Sequence, residues 1–232
     1  QASKKVFKQL PILLFNKVTK LTMPIGKAKR SAKKNKTKSC VGKIQMNFAI
    51  LGSSHSGKTS LVKRFLCGSF SDKYNPTSMD VFEEHYKVDD TDVGVSYRIF
   101  DITGSDDFPA MRQLAISSAE TFVIVYAVND RNSFEDAKKV KMEILRAKGQ
   151  GDVPILLVAN KCDIDKENHV VRSEEGRMLA KQWGCHFAET SAKVSQNIDN
   201  LFTEPVVKML KQKYPELATL GYNYESLAIG AR

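Results

Sequence analysis

Gly52-Ser53-Ser54-His55-Ser56-Gly57-Lys58-Thr59 reads G-x-x-x-x-G-K-T. The apolar run Asn47-Phe48-Ala49-Ile50-Leu51 leads into it, and Ser60-Leu61-Val62-Lys63-Arg64-Phe65-Leu66 follows at helical spacing. The stretch therefore sits where a buried strand turns into a helix. Glycines let the backbone curl without Cβ clashes, so that successive N–H groups turn inward as a cradle for phosphate oxygens. The start of the helix adds partial positive charge. Lys58 is expected to reach the β- and γ-phosphates, and the Thr59 hydroxyl to bind Mg²⁺. Every residue from Gly52 to Ser60 is a candidate phosphate or metal contact. The loop alone leaves the base and the reaction open.

Composition places this loop in a chain of 232 residues that suits one domain plus an extension. Hydrophobic residues make up 42 %, enough for a core, and no apolar run approaches the roughly 18 residues of a membrane-spanning helix. Cys40, Cys67, Cys162 and Cys185 form no C-x-x-C pair, which favours free thiols in a reducing compartment over disulfides or zinc. The net charge of +10 is unevenly spread. Of the 36 Lys and Arg, 13 lie in residues 1–43, which hold no acid; the remainder carries 23 basic against 26 acidic residues, about −3. A mildly acidic domain with a basic arm is expected, and the arm is expected to be disordered in isolation.

Along the chain, residues 1–43 form the arm, 44–212 the domain and 213–232 a tail. Strand patterns cover 44–51, 80–88 and 95–101, the last two reading as an antiparallel hairpin around Asp89-Asp90-Thr91-Asp92-Val93-Gly94. Thr121 to Val128 and Pro154 to Ala159 are nearly continuous apolar runs, as expected of central parallel strands buried on both faces. Helical patterns cover 57–67, 133–148, 174–183 and 196–212, the last interrupted by Pro205. Strand–helix alternation predicts an α/β doubly wound sheet with ligands at the carboxyl ends of its strands.

Four further motifs stand where such ends are expected. Asp101-Ile102-Thr103-Gly104 closes the third strand; Asp101 is placed to hold Mg²⁺ through a water, and the Gly104 N–H to approach a γ-phosphate. Asn160-Lys161-Cys162-Asp163 follows the 154–159 strand. A carboxylate at Asp163 can accept from the ring N–H and the exocyclic amine of guanine together, and adenine would leave it unpaired. The Lys161 stem can pack on the base, and Asn160 can tie neighbouring loops. In Glu189-Thr190-Ser191-Ala192-Lys193 the Ala192 N–H can donate to guanine O6. In Tyr74-Asn75-Pro76-Thr77 the Thr77 hydroxyl can reach Mg²⁺ and its N–H a γ-phosphate, or Thr77 caps a helix. Phe70 either covers the guanine or packs its own loop.

The order of these five motifs resembles the Ras superfamily of small GTPases, and its Ras subfamily most closely, over about residues 44–212. The resemblance implies a P-loop GTPase domain with a six-stranded, mostly parallel sheet and five helices. It implies GTP/GDP and Mg²⁺ as ligands, bound by residues 52–60, Phe70, Tyr74, Thr77, Gly104, Asn160, Lys161, Asp163, Ser191, Ala192 and Lys193, with Thr59, Thr77 and Asp101 at the metal. Lys58, Thr77, Gly104 and Ser105 fall at catalytic positions. Switch loops would span about 70–80 and 102–116 and carry effector proteins, an exchange factor and an activating protein. A cytoplasmic monomer is expected.

Departures from that pattern carry their own expectations. Ser105 follows Gly104 where the family usually has the glutamine that orients the attacking water. Ser54 and His55 replace the two usual glycines and would crowd the γ-phosphate and an arginine finger. Retained nucleotide binding with weakened hydrolysis is expected, with His55 as a substitute polar catalyst the lesser alternative. Ser78-Met79-Asp80 lacks the usual Ile-Glu pair of the effector loop. The final Ala228-Ile229-Gly230-Ala231-Arg232 holds no C-a-a-X box, so no prenyl anchor is expected. The basic arm either stands as a solvated tail or replaces that anchor at an anionic membrane, with a nuclear signal or nucleic-acid contact as further alternatives. A constitutively GTP-loaded binding module is the competing function; an ATP-using enzyme is disfavoured by Asp163 and Ala192.

Overall fold

The computed structural model describes residues 42–73, 77, 79–87, 93–102, 104, 109–149, 153–199, 201, 202, 207, 211 and 215. The basic arm, Tyr74, Ser105, Pro205 and almost all of the tail lie outside the described residues.

Six strands form one sheet: β1 (Gly42–Leu51), β2 (Met79–Lys87), β3 (Val93–Ile102), β4 (Thr121–Ala127), β5 (Ile155–Asn160) and β6 (His186–Glu189). Their order is β2-β3-β1-β4-β5-β6. Only β2 and β3 run antiparallel, paired from Met79↔Ile102 to Lys87↔Gly94. All other neighbours are parallel. Every residue of β4 and β5 is buried, as their unbroken apolar runs require.

Strand alternation divides the core in two. Met46, Phe48 and Ile50 face one side with Tyr97, Ile99, Val123, Val125, Leu156 and Val158. Ala49 and Leu51 face the other with Phe100, Phe122, Ile124, Tyr126, Leu157 and Ala159. Helix α1 (Lys58–Cys67) covers the first side with Leu61 and Val62, joined by Ile198, Leu201 and Phe202. The second side is covered by α2 (Pro109–Ser118), α3 (Arg131–Lys148) and α4 (Ser173–Trp183). The sheet is doubly wound, as the sequence predicts.

Two differences from the sequence reading have physical causes. Helix α2 occupies most of the span expected as a switch loop over 102–116. Its apolar residues are split, with Ala115 and Ile116 buried but Met111 and Leu114 turned outward, so no clean helical stripe marks it. Helix α3 begins at Arg131, before the apolar pattern does. Asp130 caps it, its carboxylate accepting the N–H groups of Asn132 at 3.0 Å and Ser133 at 3.3 Å. The helix expected over 196–212 is seen at 198, 199, 201, 202, 207 and 211. No described helix is long and apolar enough to cross a membrane.

Gly52 shows why this architecture fixes the loop after β1. Its φ is +138°, and a Cβ there would lie 2.0 Å from the Val125 carbonyl oxygen of β4. The loop leaves β1 by crossing the backbone of the neighbouring strand. Gly52→Ala is expected to destabilise the fold by at least about 2 kcal/mol, from overpacking plus backbone strain. Urea unfolding checks this; an unchanged midpoint would contradict the close approach.

Candidate functional site

The carboxyl ends of β1, β3, β5 and β6 converge on a cavity of about 630 Å³. Its wall includes Ser54, His55, Gly57, Lys58, Thr59 and Ser60 from the first loop, then Phe70, Thr77 and Gly104. The opposite wall holds Asn160, Lys161, Asp163, Ala192 and Lys193. Thus the motifs read from five separate stretches meet at one place. Gly52, Ser53, Ser56, Asp101 and Ser191 stand behind this surface. Tyr74 and Ser105 fall outside the described residues. Lys63, Ser69, Ser71, Asp72, Lys73, Ile102 and Ile164 also border the cavity, unforeseen from sequence. Lys63 lies one helical turn beyond Thr59, a spacing that could have found it.

The first loop is tied on three sides. Lys58 Nζ donates back to the carbonyls of Gly52 at 2.9 Å and Ser53 at 2.7 Å, bridging the loop it terminates. Asn160 Nδ2 donates to the Ser56 carbonyl at 2.9 Å, and its Oδ1 accepts from the Thr190 hydroxyl at 3.3 Å. One side chain thus links the first loop, the end of β5 and the loop after β6, the tie the sequence suggested for Asn160. The third tie was invisible in the sequence. Ser53 Oγ donates to Asp136 Oδ2 on α3 at 2.7 Å, across 83 positions with no motif to announce it.

At the base-reading end, Ser191 Oγ donates to Asp163 Oδ1 at 2.5 Å. This holds the carboxylate at the cavity while leaving its other oxygen outside that bond. Lys161 sits at φ +68°, a left-handed turn that lets Asn160 and Asp163 point to different partners. Burial pushes the Lys161 ammonium below its ordinary range, opposed by Asp130 and Asp163. Cys162 is spent on structure: its thiol donates to the Ala159 carbonyl, and burial pushes its pKa up to about 11.

At the phosphate end, Asp101 is fully buried, and neither carboxylate oxygen completes a hydrogen bond among the described residues. Burial raises its pKa to about 6; the nearby Thr59 hydroxyl and the Lys58 ammonium oppose that rise. Thr59 and Thr77 share a hydrogen bond, their Oγ1 atoms 2.9 Å apart. Burial in turn lowers Lys58 to about 8, against the attraction of Asp101. An orphaned buried carboxylate beside two hydroxyls is a donor set of hard oxygens. One carboxylate and two hydroxyls suit Mg²⁺, which keeps several waters and takes phosphate oxygens, better than a cation needing an all-protein cage.

The departures from the common pattern are visible here. His55 is exposed and holds φ +62°, a left-handed conformation that glycine adopts freely and that costs another residue about 1 kcal/mol. Gly104 presses onto the same loop: a Cβ there would lie 2.0 Å from the Ser54 amide nitrogen and 2.2 Å from the Ser53 carbonyl carbon. The approach of the third strand's loop is therefore set against the residue that carries the unusual side chain.

Comparison with known proteins agrees with this geometry. The model of the Ras family matches residues 47–211. The mouse (Mus musculus) GTP-binding protein Di-Ras2 is 41 % identical over 157 residues, covering 67 % of this chain and 77 % of that protein. With five motifs gathered around one cavity on a doubly wound sheet and a match over most of its domain, the chain belongs to the Ras family of small GTP-binding proteins.

Proposed function

We propose that this GTP-binding protein works as a slow switch: it holds GTP and GDP with Mg²⁺ in the cavity described above and turns GTP over weakly. The observation that carries the proposal is that Ser54, where the family usually has glycine, lines the cavity together with Gly104, which packs against the backbone of Ser53 and Ser54. Binding would use Lys58 on the β- and γ-phosphates, the loop N–H groups, and Asn160, Lys161, Asp163 and Ala192 around guanine. Thr59, Thr77 and, through water, Asp101 would hold Mg²⁺. Once bound there, the ion supplies charge that neutralises the phosphate oxygens. Lys58 then stabilises the charge that develops as water attacks the γ-phosphate, and the Gly104 N–H fixes that phosphate. Serine at position 105 is too short to orient the water as glutamine does, and Ser54 takes space that a glycine would leave.

A constitutively GTP-loaded binding module is the second reading, favoured by the same Ser54 contact. The nucleotide carried by purified protein separates them: mostly GDP marks a cycling enzyme, mostly GTP the loaded module. Effector, exchange-factor and activating-protein contacts are assigned to the segments around Thr77 and Gly104.

Single-turnover GTP hydrolysis is expected to be slower than in a glutamine-bearing relative, and Ser105→Gln to raise it at least about tenfold, below the roughly 100-fold lower end for one positioned proton-transfer group. A wild-type rate matching such a relative would overturn the reading.

Asp101 supplies a pH signature in metal-free protein. Its folded pKa of about 6 lies above the ordinary 3.8, so between these values the folded state binds the proton more tightly. Stability then falls as pH rises from about 4 to about 6, and the penalty persists above that. Asp101→Asn should flatten this segment of the urea midpoint–pH curve in EDTA. The same variant should weaken Mg²⁺ binding about 10-fold or more at neutral pH. Identical slopes in the two proteins would contradict the assignment.

For the arm, the 13 basic residues of 1–43 support contact with an anionic membrane, each contributing about 1 kcal/mol at most and screened by salt. Pelleting with anionic vesicles is expected for the full chain and lost when residues 1–43 are removed. Equal pelleting of both proteins would dismiss the arm's role.

A further inference from the structure

Arg64 belongs to none of the five motifs, yet its guanidinium reaches the loop that would read the base. It stands in the last turn of α1, where a cation also favours the helix C-terminus. Its Nε donates to the Ala192 carbonyl at 2.7 Å, and its Nη2 donates to the Lys193 carbonyl at 2.9 Å. Its Nη1 donates to the Gly68 carbonyl at 2.5 Å, just past the helix end. The same group lies over the ring of Phe70, 5.8 Å from its centroid. One planar fork therefore engages two successive carbonyls of the 192–193 segment, the end of α1 and an aromatic side chain on the cavity wall.

We infer that Arg64 is a positioning residue for base recognition, holding the Ala192 N–H where it meets guanine O6 and joining that contact to Phe70. The inference rests on the guanine-nucleotide reading proposed above. Its physical content is that the two halves of base reading have separate supports. Asp163, which faces the ring N–H and exocyclic amine, is held by the Ser191 hydroxyl. Ala192, which faces O6, is buried and borders the cavity, with its carbonyl bonded to α1 by Arg64. A guanidinium fits this task because its donors are fixed in one plane; an ammonium offers donors from a single nitrogen and no planar fork. A helix-end role alone would involve only the Gly68 carbonyl and would leave base discrimination untouched.

Two altered bases separate the halves. The diphosphate of 6-thioguanosine keeps the ring N–H and exocyclic amine but replaces O6 by sulfur, a weak acceptor. Inosine diphosphate keeps O6 and lacks the exocyclic amine. Equilibrium binding of GDP, 6-thio-GDP, inosine diphosphate and ADP is measured on the wild type, Arg64→Ala and Arg64→Lys. The wild type is expected to favour GDP over 6-thio-GDP by roughly 3- to 10-fold, the worth of one hydrogen bond. In Arg64→Ala that preference should fall below about twofold, while GDP dissociation speeds up roughly tenfold and the preference over inosine diphosphate is kept. Arg64→Lys should retain part of the 6-thio discrimination. Weakening of all four nucleotides by one common factor, or no change in any, overturns the inference. ADP binding to the wild type as tightly as GDP would instead overturn the guanine reading itself.

Discussion

The buried ammonium of Lys58, folded back onto the carbonyls of Gly52 and Ser53, is the constraint on which the site depends. A buried cation must find acceptors, and two carbonyls of its own loop supply them. Satisfying Lys58 in this way closes the loop on itself. It also holds the chain against β4, where the Val125 carbonyl leaves room for no side chain on residue 52. The Asp101 carboxylate behind it is the counterpart: opposite in charge, also buried, and without a hydrogen bond among the described residues. Lys58 thus has internal acceptors while the Asp101 oxygens lack a hydrogen bond among the described residues, an imbalance that a divalent ion and a polyphosphate together would redress.

Much of this was legible in the sequence, for identifiable reasons. Unbroken apolar runs marked β4 and β5 because both of their faces are covered. The loop and its flanks marked the β1–α1 turn because that turn needs particular residues at particular places. Short motifs at strand ends converged because parallel strands bring their carboxyl ends to one edge. Helix α2 escaped because only Ala115 and Ile116 of its apolar set are buried, so pattern and burial disagree. Ser53–Asp136 and the contacts of Arg64 escaped because they join positions 83 and about 128 apart through ordinary surface residue types. Nothing local distinguishes a serine or arginine that will find a distant partner from one that faces water.

The unusual residues of the loop differ in what they ask of the structure. His55 holds a left-handed turn that would suit glycine, so its side chain comes with a backbone cost, and it is exposed at the cavity wall. Ser54 costs nothing comparable in conformation but stands where Gly104 approaches. Ser56 is a third departure from an apolar interior: its hydroxyl is buried and has no hydrogen-bond partner among the described residues. Four polar side chains, Ser53 to Ser56, therefore stand between the two glycines of the loop, and only that of Ser53 is tied to a neighbouring helix by a hydrogen bond described above.

The strand order β2-β3-β1-β4-β5-β6 also sets a timetable for synthesis. A ribosome delivers β1 and its phosphate loop first, but β1 lies between β3 and β4 and cannot be enclosed until residue 127 has emerged. Asn160, which braces the loop, and the 191–193 segment come later still. The nascent chain therefore carries a phosphate loop well before it has anything to select the nucleotide, with the apolar faces of β1 and β3 uncovered in the interval. The strands that complete the sheet, β5 and β6, are thus also the ones that lead into the motifs read as choosing the base, so closing the sheet and assembling the cavity are one event.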